Sequence, residues 1–515
     1  MDNYTKDSSR GVRLQALICQ RQVGSELIGD LSLPDYLPEI KRLLRVKATV
    51  SPADSYVGMG NAEFTGAVDY TVLYAGQDGS LYSASQTEEY RFEVPVEMSA
   101  DFELGEGLVC DVETVAEAVM GRVSSPRRLS LRAKLRSDVR IFGTRLIEER
   151  IDTVNAASLQ RLHGEAACAQ LFCGVGEAFA LQDEILLDAQ SADLRVICAD
   201  GAVFVAEANA GSDCVTSRGE VVLRLLCSHE DGAPISILRK IPFSHTVPLD
   251  GCEVNCECAA HGVCTDLNIT VEEGRILCDV SVRLRVRAQR NVTLPYTRDL
   301  YSIDAEGENK YVEPTLMQAI RCVNGNFSLN STLSMEEVGM KSGMSVLDCQ
   351  LTSGFLTPEL SGGKLYLNGK CRCHLILSDK EELSAQEPEI SFRYELDSYV
   401  ENGMDVADCI ATADVLSCRA RVDGQRIFID AELGICATLR GEQKIRMFSD
   451  ATFGRVVSRQ ASVYTVCYPS RDDSLWSVSK RYHRPVETVA EWNTLSGAAS
   501  ADSPDSLAGV VYLLV

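Results

Sequence analysis

Apolar and polar positions alternate with a period of two through most of this chain. The alternation is cleanest in residues 66–74, 219–227 and 369–377, each opened by a glycine (Gly66, Gly219, Gly369), and in 128–135, 275–282 and 426–433, each led by an arginine (Arg128, Arg275, Arg426). Successive side chains of a strand point to opposite faces. This period therefore predicts strands that bury one face and wet the other, packed as antiparallel, sandwich-like units. Segments such as 75–79 and 229–232, rich in glycine and charge, suit hairpin turns. Short helices also fit 38–44 and 112–120.

The landmarks recur. The three glycines stand 153 and 150 residues apart, and strands ending in Cys19, Cys173 and Cys322 precede them at spacings of 154 and 149. A phenylalanine follows each glycine-led strand: Phe92, Phe243 and Phe392. The same features in the same order predict three tandem β-rich units over 13–150, 151–302 and 303–456.

Residues 463–515 follow a different rule. Alternating β-branched and aromatic residues in 463–468 suit a strand. Asp473-Ser474 suits a helix N-cap, and Leu475, Val478 and Tyr482 then recur at helical spacing. Pro485 opens a second helix with Val489 and Trp492 on its apolar face, and the apolar run 510–515 closes as a strand. This strand-helix-helix-strand order resembles the LysM module. The likeness is carried by Asp473-Ser474-Leu475-Trp476-Ser477-Val478, by Asn493 with Leu495, and by Gly509. Sugar-binding LysM modules use a tight Gly-Asp-Thr turn so that backbone amides can approach an N-acetyl group. Here the corresponding 469–474 is longer and contains no glycine.

A chain of 515 residues exceeds one hydrophobic core and agrees with roughly three to four units. Its net charge of −24 repels phosphate backbones, which argues against a nucleic-acid partner. The first ten residues lack the apolar core of a secretion signal, and no window approaches the ~18 apolar residues of a transmembrane segment, so a cytoplasmic location is expected. In a reducing cytoplasm the 20 cysteines read as small buried hydrophobes.

Candidate chemistry is sparse. Cys252, Cys256, Cys258, His261 and Cys264 are clustered as zinc ligands can be, but their spacing matches no common knuckle, and buried thiols are the preferred reading. Cys371 and Cys373 read as core residues of one strand face. No P-loop, nucleophile elbow or metalloprotease helix is present, so neither an enzyme nor a cofactor is expected. Trp476 and Trp492 are the two tryptophans, and Trp476 has two readings: a core ring of a small module, or a partly exposed anchor for a partner. Asp472 and Asp473 read as charges at a helix N-terminus and then as rim contacts. Lys480 and Arg481 read as a solvated face, and His483 as a helix end or a partner contact.

The run Leu31-Ser32-Leu33-Pro34-Asp35-Tyr36-Leu37-Pro38-Glu39-Ile40-Lys41-Arg42-Leu43-Leu44, the Gly66 strand, the arginine-led strands and the terminal LysM-like segment together resemble the SPOCS-domain family of spore-forming Firmicutes. The resemblance implies a mainly β fold, with three tandem antiparallel β-sandwich-like SPOCS repeats and a small C-terminal βααβ LysM domain at 463–515. It also implies a non-enzymatic spore-coat assembly role in the mother-cell cytoplasm, at the forespore surface. The LysM domain would dock the coat-basement ATPase, stage IV sporulation protein A, and other coat proteins or a second copy would be further partners. Partner binding would fall to Asp472, Asp473, Ser474, Trp476, Lys480, His483, Trp492 and Asn493. The alternative keeps the module as a binder of peptidoglycan or GlcNAc glycans at the spore cortex.

Overall fold

The computed structural model describes residues 11–58, 60–97, 99–102, 107–152, 158–187, 194–229, 234–272, 274–341, 343–379, 382–399, 406–457, 465–495 and 501–515. Among them the protein is mainly β, in several antiparallel sheets, and both α-helices lie near the C-terminal end. No helix among the described residues is long and apolar enough to cross a membrane.

In the first region Arg128–Glu148 lies between Gly11–Ser32 and Val109–Ser125. A second sheet sets Asn61–Gly76 between Ile40–Val50 and Leu81–Pro95. Phe64, Tyr70 and Val72 from this sheet meet Leu131, Leu135 and Ile141 from the other in one core. The third region has the same strand order. Arg426–Lys444 lies between Thr315–Ser334 and Val406–Asp423, and Lys364–Ser378 lies between Ser345–Thr352 and Glu389–Tyr399. Cys371 and Cys373 point into its core, fully buried.

In the middle region Arg275–Ser302 is flanked by Glu257–Glu272 and Leu159–Val175, and Cys214–Ser228 by Arg195–Ala210 and Ile235–Pro248. Here the two sheets join where Asn209 pairs with Glu257. The landmark glycines and arginines all fall on strands as expected.

The two short helices do not form. Residues 112–120 belong to the strand Val109–Ser125, and 40–44 belong to Ile40–Val50. The cause is legible in the register. A β-bulge between Ala116 and Ala118 shifts the core-facing set from Cys110, Val112 and Ala116 to Val119, which turns a period of two into an apparent helical spacing. Two similar shifts, at Ile40/Arg42 and Leu43/Arg45, disguise the other strand.

The larger departure concerns the polar faces of the central strands. Alternation predicts that they are wet, yet Asp111, Glu113, Arg285, Arg287 and Arg440 are at most 4% exposed. Each of these strands puts its apolar face on its own core and its charged face against the other two regions. Buried charge is tolerable only when paired. Arg287 donates to Asp111 at 2.7 Å and to Glu113 at 2.7 Å, while Arg440 donates to Asp111 at 3.0 Å and to Asp408 at 2.9 Å. Burial alone would raise the pKa of Asp111, but the guanidiniums of Arg287 and Arg440 overcome it and hold the carboxyl well below its usual range. His261 bridges Glu113 at 3.2 Å and Asp414 at 2.9 Å, joining all three regions.

A second charged layer joins the smaller sheets. Arg45 and Arg224 both meet Asp348, the former at 2.6 Å, while Lys47 and Gln350 both donate to Asp200 at 3.0 Å. Apolar clusters seal the junction: Leu73, Leu226 and Ile376 near this layer, and Phe142, Leu171 and Met317 elsewhere in it. Finally, Arg150–Asp152 pairs in parallel with Met447–Val456, which stitches the end of the first region to the end of the third.

Candidate functional site

The C-terminal module is built on two seven-residue helices, α1 (Leu475–Arg481) and α2 (Val486–Trp492). Such helices are too short to persist alone. They are held by Leu475, Val478, Val486 and Val489, which pack with Cys467, Leu507 and Leu513 in one small core. Two short strands, Val466–Cys467 and Leu513–Leu514, pair antiparallel beside them. The expected strand residues 463 and 464 lie outside the described residues.

The start of α1 uses up its own donors. Ser474 and Ser477 form a reciprocal capping box, with Ser477 N donating to Ser474 Oγ at 3.1 Å and Ser474 N to Ser477 Oγ at 2.9 Å. Leu475 N donates to Ser506 Oγ at 2.9 Å, and Trp476 N donates to the Ala501 carbonyl at 2.7 Å. Asp473 accepts from Ser470 N at 2.8 Å and from Arg481. The backbone hydrogen bond from Ser470, followed by that from Arg481, lowers its pKa against a small burial effect. Asp472 is exposed beside it.

Trp476 is buried at 6% exposure, so of its two readings the core ring holds. Its indole Nε1 donates to Asp299 at 2.8 Å, and the ring meets Tyr301 edge-on at 4.9 Å. Lys480 is half-buried and paired: its ammonium donates to both oxygens of Asp299, at 2.6 and 2.7 Å. His483, in the left-handed region at φ 52°, donates from Nδ1 to the Ser302 carbonyl at 2.8 Å. One face of α1 is thus seated on the end of the strand Arg275–Ser302. Burial would raise the pKa of Asp299, but hydrogen bonds from Lys480, Trp476 and Tyr311 outweigh that and lower it.

The remaining predicted residues lie elsewhere on the module. Asn493 donates from Nδ2 to the carbonyls of Val489 at 2.8 Å and Leu514 at 2.9 Å and accepts from Leu514 N at 2.7 Å, which ties α2 to the last strand. Trp492 is 40% exposed, with the Arg484 guanidinium above its ring. Val466, Tyr468, Val511 and Tyr512 are also exposed.

No family model, no curated protein and no solved structure matches this chain.

The candidate zinc cluster is not assembled. Strand alternation puts His261 on the opposite face of Glu257–Glu272 from Cys258 and Cys264, and both ring nitrogens are committed to carboxylates. Cys252 and Cys256 sit in the apolar core of the middle region, with Cys258 and Cys264 packed against it. Among the described residues no three Cys, His, Asp or Glu side chains are placed to share a metal. All 20 cysteines carry free thiols.

Sequence reasoning missed Asp299, Tyr301 and Ser302, the seat of the module. One signal was available. The strand that carries them runs 28 residues, several times the mean of ~5–6, and its far end extends beyond what a single core needs. The buried ion pairs left a second trace. Several partners stand 153 residues apart with complementary chemistry, such as Lys47 with Asp200 and His261 with Asp414.

Proposed function

We propose that this chain is a non-enzymatic assembly protein of the SPOCS type, built from three copies of one β-rich unit and a LysM-type module. The module would dock the coat-basement ATPase, stage IV sporulation protein A, at the forespore surface in the mother-cell cytoplasm. The recurrence of one strand order in the first and third regions, with the same pairings joined into one sheet in the middle region, supports the repeat. The order of short strand, α1, α2 and short strand supports the module.

The observation that carries the docking reading is the state of the turn before α1. A glycan-binding turn needs free backbone donors for an N-acetyl oxygen. Here the amides of Ser470, Ser474, Leu475, Trp476 and Ser477 are all bonded within the chain. The surface left for a partner lies away from the seated face of α1, around Tyr468, Trp492, Val511 and Tyr512. Exposed aromatics of this kind anchor protein interfaces.

The test is capture of the purified ATPase by the full chain, by a chain ending at residue 457, and by the double variant Tyr468→Ser with Tyr512→Ser. Capture by the full chain alone is the expected result. Equal capture by the shortened chain defeats the proposal, and saturable binding of GlcNAc oligomers by the full chain would favour the peptidoglycan alternative.

A further inference from the structure

Between the two charged layers the three regions leave a cavity of about 710 Å³. That is within the ~300–1,000 Å³ of small-molecule sites. One wall is formed by 114–119, 261–264 and 413–418, and the other by 46–50, 200–203 and 349–353. Every region therefore contributes a strand to each wall, and the third region adds Lys364–Ser378, which carries Arg372. We propose that this cavity binds a small hydroxylated organic anion, a ligand site separate from the docking role above.

The polar groups left over in the wall point to that ligand. The carboxylates of the wall are already matched: Asp200 by Lys47 and Gln350, Asp414 by His261, Glu389 by Lys370, and Glu117 by Lys134. Four of the five cations are matched too, Lys47 by Asp200, Lys370 by Glu389, Arg136 by Asp138 and Arg224 by Asp348, but two sets of donors are left over. Arg372 makes no hydrogen bond or close ion pair among the described residues, and the buried Nη1 of Arg224 has no hydrogen-bond acceptor, with Asp200 standing 4.0 Å away. The wall carries five lysine or arginine side chains to four carboxylates, in a chain of net charge −24. Asp348, Asp138 and Glu387 balance these cations from behind the wall, and an oxyanion is the group that would pair the donors still facing the cavity.

An acceptor is also orphaned. Gln350 is 7% exposed, and its Nε2 is committed to Asp200, yet Oε1 has no donor. The Ser353 hydroxyl is likewise buried, with only the weakly bonding Cys371 thiol beside it. Buried polar groups are nearly always satisfied, so orphans on a cavity wall mark where a ligand's groups belong. A ligand hydroxyl would donate to Gln350 Oε1 while its oxyanion meets Arg372 and Arg224. Beside them Arg136 lies over the Phe355 ring at 4.6 Å, so the wall also offers an apolar surface to a carbon skeleton.

The test is calorimetric titration of the full chain with citrate, glycerol 3-phosphate and uncharged sorbitol. Saturable binding of at least one anion, weakened at least tenfold by Arg372→Gln and unchanged by Arg393→Gln on an outer strand, is the expected result. Preference between the two anions assigns the oxyanion as carboxylate or phosphate. Absence of binding by both anions, sorbitol binding as tightly as either, or equal affinity in Arg372→Gln would overturn the proposal. Hydrogen exchange on the wild-type chain gives an answer that does not depend on a variant folding. Bound anion should slow exchange in 349–353 and 364–378, and protection confined to other segments would refute the site.

Discussion

Five donors converge on Asp299: the amide of Leu300, the side chains of Asn309 and Tyr311, and, from the module, Trp476 and Lys480. A carboxylate so placed is worth more than its exposure suggests, because hydrogen bonds to a charged group contribute about 1.5–3 kcal/mol each. Asp299→Ala should therefore unseat α1 at a cost of about 2–3 kcal/mol. Trp476 emission should shift to the red while the signal of Trp492 stays put, so single-tryptophan variants read the change directly. His261 makes a prediction of opposite character. Its pairing with Asp414 and Glu113, assisting the ionised form against burial, raises its pKa well above the ordinary value of about 6.5. A raised folded pKa means that the stabilisation is complete below ~6.5 and is lost as pH rises through the folded value. The melting temperature of the wild type should fall on that alkaline limb, and His261→Gln should flatten the limb while lowering the plateau at pH 6.

At the scale of elements, the central strands carry two interfaces each, one apolar and one ionic. Arg287→Met leaves Asp111 and Glu113 short of a partner in a buried layer. Chemical denaturation should report a loss of about 3–5 kcal/mol, far above the ~0–1 kcal/mol of an exposed pair. Arg393→Gln, whose Glu359 partner is exposed, should cost less than about 1 kcal/mol. The same strands show what the sequence could reveal. The strand type, the core face and the landmark spacings of Gly66, Gly219 and Gly369 were readable, because a period of two is a local property. The burial of Arg285, Arg287 and Arg440 was not, because a charged face looks identical whether water or a distant carboxylate covers it. Bulges at Ala116/Ala118 and Leu43/Arg45 hid two strands for a related reason: one inserted residue breaks the period that identifies them. In the module Asp473 serves the preceding turn and Arg481, whereas the cap at Ser474 was legible. Which face of α1 was free was not, since its seat lies some 180 residues away in sequence.

For the whole molecule, the ionic layers and the parallel pairing of Arg150–Asp152 with Met447–Val456 make the three regions mutually dependent. Removal of residues 303–515 would strip Asp111 of Arg440 and His261 of Asp414. The shortened chain should lose cooperative melting and aggregate, whereas the full chain should unfold its β regions in a single transition followed by calorimetry. Synthesis on the ribosome meets the same dependence. Arg287 and Arg440 lie 176 and 329 residues after Asp111, so at ~5–20 residues per second the first region waits roughly 9–35 s for the first of its counter-ions and roughly 16–66 s for the last. Nascent chains of this protein should therefore lean on a chaperone until translation is nearly finished, and codon changes that slow the last third should lower its yield even though every residue is unchanged.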